Sequence, residues 1–277
     1  MTARLRASLI VIGDEILGGF VRDANSGFLA GRLQELGVPL DRVVTVPDEH
    51  AAIDEALSAE LARARPRLVV TSGGIGSTPD DLTLEAVAAS LGVDLAADPA
   101  IDARITRALE WRAAQGVSLD ASHDRAMRRM ALVPKGAYLI ADDGGFAAGV
   151  AVDVDEGCGS DGGATVVILP GVPSEFQRIT RNGIEPVLIA DRGHPEHVEE
   201  LSHGYPESML NPVFERVLEE FPGVRLGSYP GRECTVRLKG ERADVEAAMA
   251  VVRGYLDELD SNPAAARLQA AWQSHWG

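Results

Sequence analysis

The 277-residue chain carries 26 basic and 42 acidic residues, a formal charge of −16, with 45% hydrophobic and 25% charged residues. This is globular composition rather than disordered or fibrous, and a field of that sign repels a nucleic-acid duplex or an anionic membrane, so neither is an expected partner. The length exceeds that of a usual single domain, no segment approaches the roughly 20 apolar residues of a membrane span, and the apolar run after the basic start is too short for a secretion signal. Cys158 and Cys234 stand apart without a metal or disulfide spacing, which fits a reducing cytoplasm.

Short apolar runs alternate with helical patterns through the first two-thirds, the pattern of βα units around a mainly parallel sheet. Ser8–Ile12 (SLIVI) reads as a buried strand ending at Gly13. Phe28, Leu29, Leu33 and Leu36 then recur at helical spacing, and Gly37 stands where a helix would stop. Asp41–Val46 is the next strand, Ile53, Leu57 and Leu61 mark a second helix, and Arg67–Ser72 is a strand running into TSGGIGSTPDDLTLEA. A helix from about Leu82, another carrying Ile101, Ile105 and Leu109, and strands near 137–140 and 150–154 follow. Ala164–Leu169 repeats the strand-to-loop arrangement, with Pro170, Gly171 and Pro173 setting the turn and Ser174 the expected cap of a helix whose first turn holds Glu175.

The pattern changes across 191–195. Met209, Leu210, Val213, Phe214, Val217, Leu218 and Phe221 form a helical stripe, Cys234, Val236 and Leu238 alternate as in a half-exposed strand, and Val245, Met249, Val252, Leu256 and Leu259 mark another helix. The expected organisation is an α/β domain over 1–192, a small β-α-β-β-α domain over 193–260 and a loosely docked tail over 261–277. His194, His197 and His203 cluster near the boundary, but without further Cys or His at zinc-motif spacing they read as a solvated linker.

Ligands of open α/β sheets bind at the C-terminal edge of the strands, where loops and helix N-termini converge. There the chain places Gly13, Asp14, Glu15 and Asn25 after the first strand, and Ser72, Gly73, Gly74, Gly76, Ser77, Thr78, Asp80 and Asp81 after the third. Pro170, Gly171, Pro173 and Glu175 follow the later strand. Asn25 or Ser26, and Asp80 or Asp81, also suit simple helix caps. A cap requires one Asp, however, and here there are two, with Glu85 one turn on. Glycine-loop amides from Gly73 to Ser77 want an anion, whereas Asp80 and Asp81, with Asp48 or Glu15, want a divalent cation such as Mg²⁺. A metal-bound phosphate satisfies both. The loop lacks the lysine of a phosphate-binding P-loop and the third glycine of the dinucleotide fingerprint, and no nucleophile elbow is present.

GDEILGG, DAN, SGGIGSTPDDLTLEA and LPGVPSEF, in this order, resemble the N-terminal region of the competence/damage-inducible protein A (CinA) family. The similarity continues through YPESMLNPVFERVLEEFPGVRLGSYPGRECTVRLKG, which looks like that family's small middle domain, and covers about 8–259. The C-terminal nicotinamide mononucleotide deamidase domain of longer members has no counterpart here, so that activity is not expected. The resemblance implies a three-layer α/β fold with a mostly parallel sheet, like the molybdopterin-binding domains of MoaB and Mog, followed by a second small α/β domain. It also implies a homo-oligomer, dimer or trimer.

For function, the resemblance implies metal-dependent pyrophosphatase action on an ADP-ribose-like nucleotide, or else binding or adenylation of molybdopterin. Asp81 matches an Asp that the relatives require, Asp80 replaces their Arg and turns the expectation from adenylyl transfer towards hydrolysis, and Asp48 matches a second functional Asp. Asp81, Asp80 and Asp48 are therefore the expected catalytic set, with Asp80 and Asp81 as metal ligands. Asp142–Gly149 (DDGGFAAG) replaces the family's Asn and Gly-Thr-Ala-Pro-Gly, which removes an amide and a hydroxyl from the ligand's surroundings and favours a non-catalytic nucleotide- or pterin-binding module as the alternative.

Overall fold

The computed structural model describes residues 3–116, 120–141, 146–231 and 233–275, so residues 142–145 of the DDGGFAAG segment lie outside the described residues. The chain divides into two compact units, Met1–Pro195 and Glu196–Gly277. Among the described residues no helix is long and apolar enough to cross a membrane.

The first unit is built on a six-stranded sheet of order β2-β1-β3-β8-β7-β6, comprising β1 (Arg6–Ile12), β2 (Leu40–Val46), β3 (Arg67–Ser72), β6 (Tyr138–Ile140), β7 (Gly149–Val154) and β8 (Ala164–Leu169). β2, β1, β3 and β8 run parallel, and β7 and β6 continue the sheet antiparallel. A separate two-stranded ribbon joins β4 (Leu95–Ala97) to β5 (Leu132–Pro134). Successive side chains of a strand point to opposite faces, and both faces here are covered. Leu9, Val11, Leu68, Val70, Val167 and Leu169 enter one core beneath α2 (Asn25–Glu35) and α7 (Pro173–Ile179). Ile10, Ile12, Val69, Val166 and Ile168 enter the other, beneath α3 (His50–Leu61), α4 (Thr83–Ser90), α5 (Pro99–Ala114) and α6 (Ala121–Arg129). The fold is thus a three-layer α/β sandwich with a mostly parallel sheet, and double-sided burial explains why these strands read as unbroken apolar runs.

Local chemistry differs from the sequence expectation at several helix starts. Asp23 closes the turn into α2, its Oδ1 accepting from the amides of Asn25 (2.9 Å) and Ser26 (3.2 Å), which leaves the Asn25 side chain free for tertiary contact. α4 begins after Leu82 with no side-chain cap, so neither Asp80 nor Asp81 caps it. Pro173 takes the first position of α7, with Val172 rather than Ser174 at the cap; the fixed φ of proline suits that position. α1 (Asp14–Leu17) is a single helical turn where a loop was expected, and a π-helical stretch, Thr180–Ile189, continues α7.

At the opposite end of the sheet Arg67, 1% exposed, donates to Asp41 (2.8 Å) and Ser8 (2.7 Å), and the Ser8 hydroxyl donates to buried Glu60 (2.6 Å). Burial pushes the Asp41 carboxyl up, but the hydrogen bonds from Arg6 and Arg67 hold it below its ordinary value.

The second unit has a three-stranded antiparallel sheet, β10-β11-β9, of β9 (His197–His203), β10 (Arg225–Tyr229) and β11 (Cys234–Gly240). α8 (Asn211–Glu220) and α9 (Arg242–Asp260) enclose a core of Val213, Val217, Val236, Leu238, Val245 and Met249. Leu218 is exposed and falls outside the expected stripe. The segment expected as a loose tail is helical, α10 (Pro263–His275), and buries Ala265 in this core. His197 and His203 belong to β9 rather than to a solvated linker, and His203 is buried.

Candidate functional site

The parallel strands β1, β2, β3 and β8 end on one edge, and their loops meet there. The Gly73 amide donates to the Leu169 carbonyl (3.1 Å), locking the glycine loop to the end of β8. Gly73 has φ +108°, and a Cβ added there would lie 2.2 Å from the Ile12 carbonyl oxygen. Only glycine tolerates both the conformation and that approach. Gly171 passes close by, its notional Cβ 3.4 Å from the Gly73 Cα. Asn25, 4% exposed, ties the three loops together by donating to Ser72 Oγ and to the Gly171 carbonyl, both at 2.9 Å.

Between these loops lies a cleft of about 390 Å³. Glu15, Gly73, Gly74, Gly76, Asp81, Pro170, Gly171 and Glu175 line it, as the sequence reading grouped them. Gly13 lies under the Glu15 carboxylate, and Asp48 stands beside Gly74, whose notional Cβ would be 3.4 Å from Asp48 Oδ1. The Asp14 amide donates to Asp48 Oδ2 at 2.9 Å. Thr78 and Asp80 are exposed on the outer turn, Pro173 is exposed at the start of α7, and Ser77 is half-buried; none of the four lines the cleft.

The two adjacent aspartates play different parts. Asp81 Oδ2 accepts from both the Thr78 amide (2.8 Å) and the Thr78 hydroxyl (2.6 Å), closing the turn that carries Asp80. The Thr78 hydroxyl also holds the exposed Asp80 carboxyl below its ordinary value. Asp48 behaves oppositely: burial first, then the charges of Glu15, Asp14 and Asp80, push its carboxyl up, against the lowering effect of the Asp14 amide. A carboxylate disfavoured by its carboxylate neighbours is the electrostatic condition that a bound cation relieves.

The amide arrangement is complementary. Gly73 N–H is spent on Leu169 and Thr78 N–H on Asp81, so these two do not serve the cleft. Among the described residues no hydrogen bond engages the amides of Gly74, Ile75, Gly76 and Ser77. Four successive amides without acceptors at a glycine turn form a concavity suited to an anion.

Sequence reasoning missed Arg129, Met130 and Phe146. Arg129, at the end of α6, donates to the Asp81 carbonyl (3.3 Å) and Glu85 (3.2 Å), bracing the aspartate turn from outside. Met130, Phe146, Ile75 and Val172 give the cleft its apolar wall. Phe146 is 44% exposed. The exposed phenylalanine within a glycine- and alanine-rich segment was the available signal for it.

With this edge, its glycine loop and the acidic turn in place, the family model for the probable molybdopterin binding domain matches residues 8–190. The chain belongs to that family. A protein of Pyrobaculum calidifontis is 34% identical over 81% of this chain and 80% of its own length. A CinA-like protein of Mycolicibacterium vanbaalenii is 38% identical over 74% of this chain, which spans 47% of that relative's length. The crystal structure of CinA, a protein with unknown function from Thermoplasma acidophilum, superimposes with a TM-score of 0.53 and 30% identity, covering 67% of this chain and 98% of that one. The first unit is accordingly the part of the chain that carries the probable molybdopterin binding domain, with a fold like that of CinA.

Proposed function

We propose that this edge binds a metal-complexed nucleotide and hydrolyses its pyrophosphate, with ADP-ribose as the model substrate. The observation that carries this reading is the meeting, in one cleft, of three amides without acceptors, those of Gly74, Ile75 and Gly76, and a wall of carboxylates, with no Lys or Arg among the described residues that line it. The amides favour an anion and the carboxylates exclude one that arrives without a cation. All the donors are hard oxygens, which suits Mg²⁺ or a similar ion.

Asp48, Glu15 and Asp80 are the residues that would hold the ion, with Asp14 beside them. When bound, a divalent ion neutralises phosphate charge and makes water a better nucleophile. The amides of Gly74, Ile75 and Gly76 hold the phosphate oxygens, while Met130 and Phe146 receive the apolar face of the base or ribose. Water adds to one phosphorus, the bridging P–O bond breaks, and two phosphate monoesters leave; the water's proton passes to Glu175. Asp81, committed to Thr78, positions Asp80.

That commitment of Asp81 also favours a second reading, a non-catalytic nucleotide- or pterin-binding module in which the paired aspartates shape the loop. Phosphate-monoester release from ADP-ribose across a Mg²⁺ titration separates the two. Metal-dependent release lost in Asp48→Asn supports hydrolysis; ligand binding with no release at any Mg²⁺ concentration leaves the binding module.

A further inference from the structure

We propose that the second unit carries its own site for a divalent transition ion of the zinc class, formed by His197, Glu199 and Glu246. The site is independent of the cleft in the first unit. One ligand atom from each residue lies within 4.8 Å of the other two. His197 and Glu199 are two apart on β9, so both project to the same side of the sheet. Their partners across the ladder are Gly240 and Leu238, and the same side continues with Leu201 and His203, opposite the buried Val236 and Cys234. This is the side covered by α9, from which Glu246 reaches across.

The placement is unusual for an imidazole and a carboxylate. They occupy inward positions of the strand, with side chains only 20% and 27% exposed, and meet each other through a long 3.4 Å contact. Inward polar residues do protect an edge strand from pairing with other chains, yet a single charge would serve for that. The competing cations hold weakly: Arg253 is 3.9 Å from Glu199, and Arg242 is 3.3 Å from the exposed Glu246. Ion pairs this exposed contribute little, so they yield readily to a metal.

The donor set selects the ion. One imidazole with two carboxylates suits zinc and its neighbours, whereas Mg²⁺ prefers oxygen alone. Ligand atoms around a four-coordinate zinc stand about 3.3 Å apart, so rotamer adjustments on the order of an ångström close the site. Three protein ligands leave a fourth position for water or an anion. The ion would bridge β9 to α9 within the second unit.

The test uses the full chain, stripped with a chelator and titrated with ZnCl₂ in excess Mg²⁺ to occupy hard-oxygen sites. Cobalt substitution supplies a visible spectrum as a direct signature of coordination. The expected result is zinc binding by the wild type, weakened by at least about tenfold in both His197→Ala and Glu246→Gln with altered cobalt bands, and unchanged in Asp48→Asn. Glu246 is exposed, so its variant should fold even if the His197 variant does not. Absence of zinc binding in the wild type, equal affinity in His197→Ala, or a loss in His197→Ala with none in Glu246→Gln would each overturn the site.

Discussion

The Asp48 carboxylate accepts a 2.9 Å hydrogen bond from the Asp14 amide, joining the end of β2 to the turn after β1 while facing the charges of Glu15, Asp14 and Asp80. The bond is structural, whereas the charge is costly. Because the folded carboxyl titrates above its ordinary value, Asp48 favours folding only at acid pH, and that contribution is lost as pH rises through the folded value. Asp48→Asn keeps an acceptor for the amide and removes the charge. At neutral pH without metal the variant should be at least as stable as the wild type. Mg²⁺ should raise the wild-type melting temperature and not the variant's. A clear loss of metal-free stability in urea denaturation would contradict this account.

Asp81 supplies the contrasting case. Its Oδ2 accepts twice from Thr78, so an acceptor there matters more than a charge. Asp81→Asn should retain most of the metal-dependent turnover, whereas Asp81→Ala should cost about 1 kcal/mol, as loss of a cap does, and should depress turnover by freeing Asp80. Rates for both variants across a Mg²⁺ titration, alongside their denaturation midpoints, check the order. An Asn variant as inactive as the Ala variant would make Asp81 a metal ligand instead.

Much of this architecture could be read from residues alone, because apolar runs such as Val69–Val70 and Val166–Val167 are buried on both faces and glycines follow the strands directly. The glycine loop, Glu15 and Glu175 converge on one cleft for the same reason: parallel strands deliver their following loops to one edge. What escaped was tertiary. Asn25 before a helix looks like a cap, and only the approach of Gly171 turns its amide into a bridge between loops. Arg129 lies 48 residues from Asp81 in sequence and braces it through α6. Arg67 resembles an exposed strand start until Asp41, Ser8 and Glu60 close around it. The final segment carries few large apolar residues, so nothing in its pattern marked Ala265 as the point where α10 meets the core.

Asn25→Ala tests whether loop convergence depends on that bridge. The change leaves the Gly171 carbonyl and the buried Ser72 hydroxyl without their donor, a cost of about 1–3 kcal/mol. Because both acceptors belong to cleft loops, nucleotide affinity should fall along with the melting temperature. Isothermal titration of the variant with ADP-ribose and Mg²⁺ reads the first, and calorimetric melting the second. Unchanged affinity in a destabilised protein would show that Asn25 supports the fold without shaping the cleft.

The second unit should show its own acid sensitivity through His203. This side chain is 8% exposed. Its Nδ1 accepts from the Tyr205 amide at 3.3 Å, and its Nε2 is buried with no hydrogen-bond partner among the described residues. Burial lowers the folded pKa below the ordinary 6.5, outweighing the Glu207 charge. The unfolded chain therefore takes up a proton near pH 6.5 that the folded unit refuses. Stability from this residue is complete above that value and is lost as pH falls from there towards the folded pKa. Because the chain has two units, a global midpoint would mix them, so hydrogen exchange of the β11 amides is the better measure. Protection there should decline between about pH 7 and pH 5 in the wild type, once the intrinsic pH dependence of exchange is removed. His203→Gln, which cannot titrate, should flatten that decline. Parallel curves for the two proteins would assign the acid sensitivity to other groups.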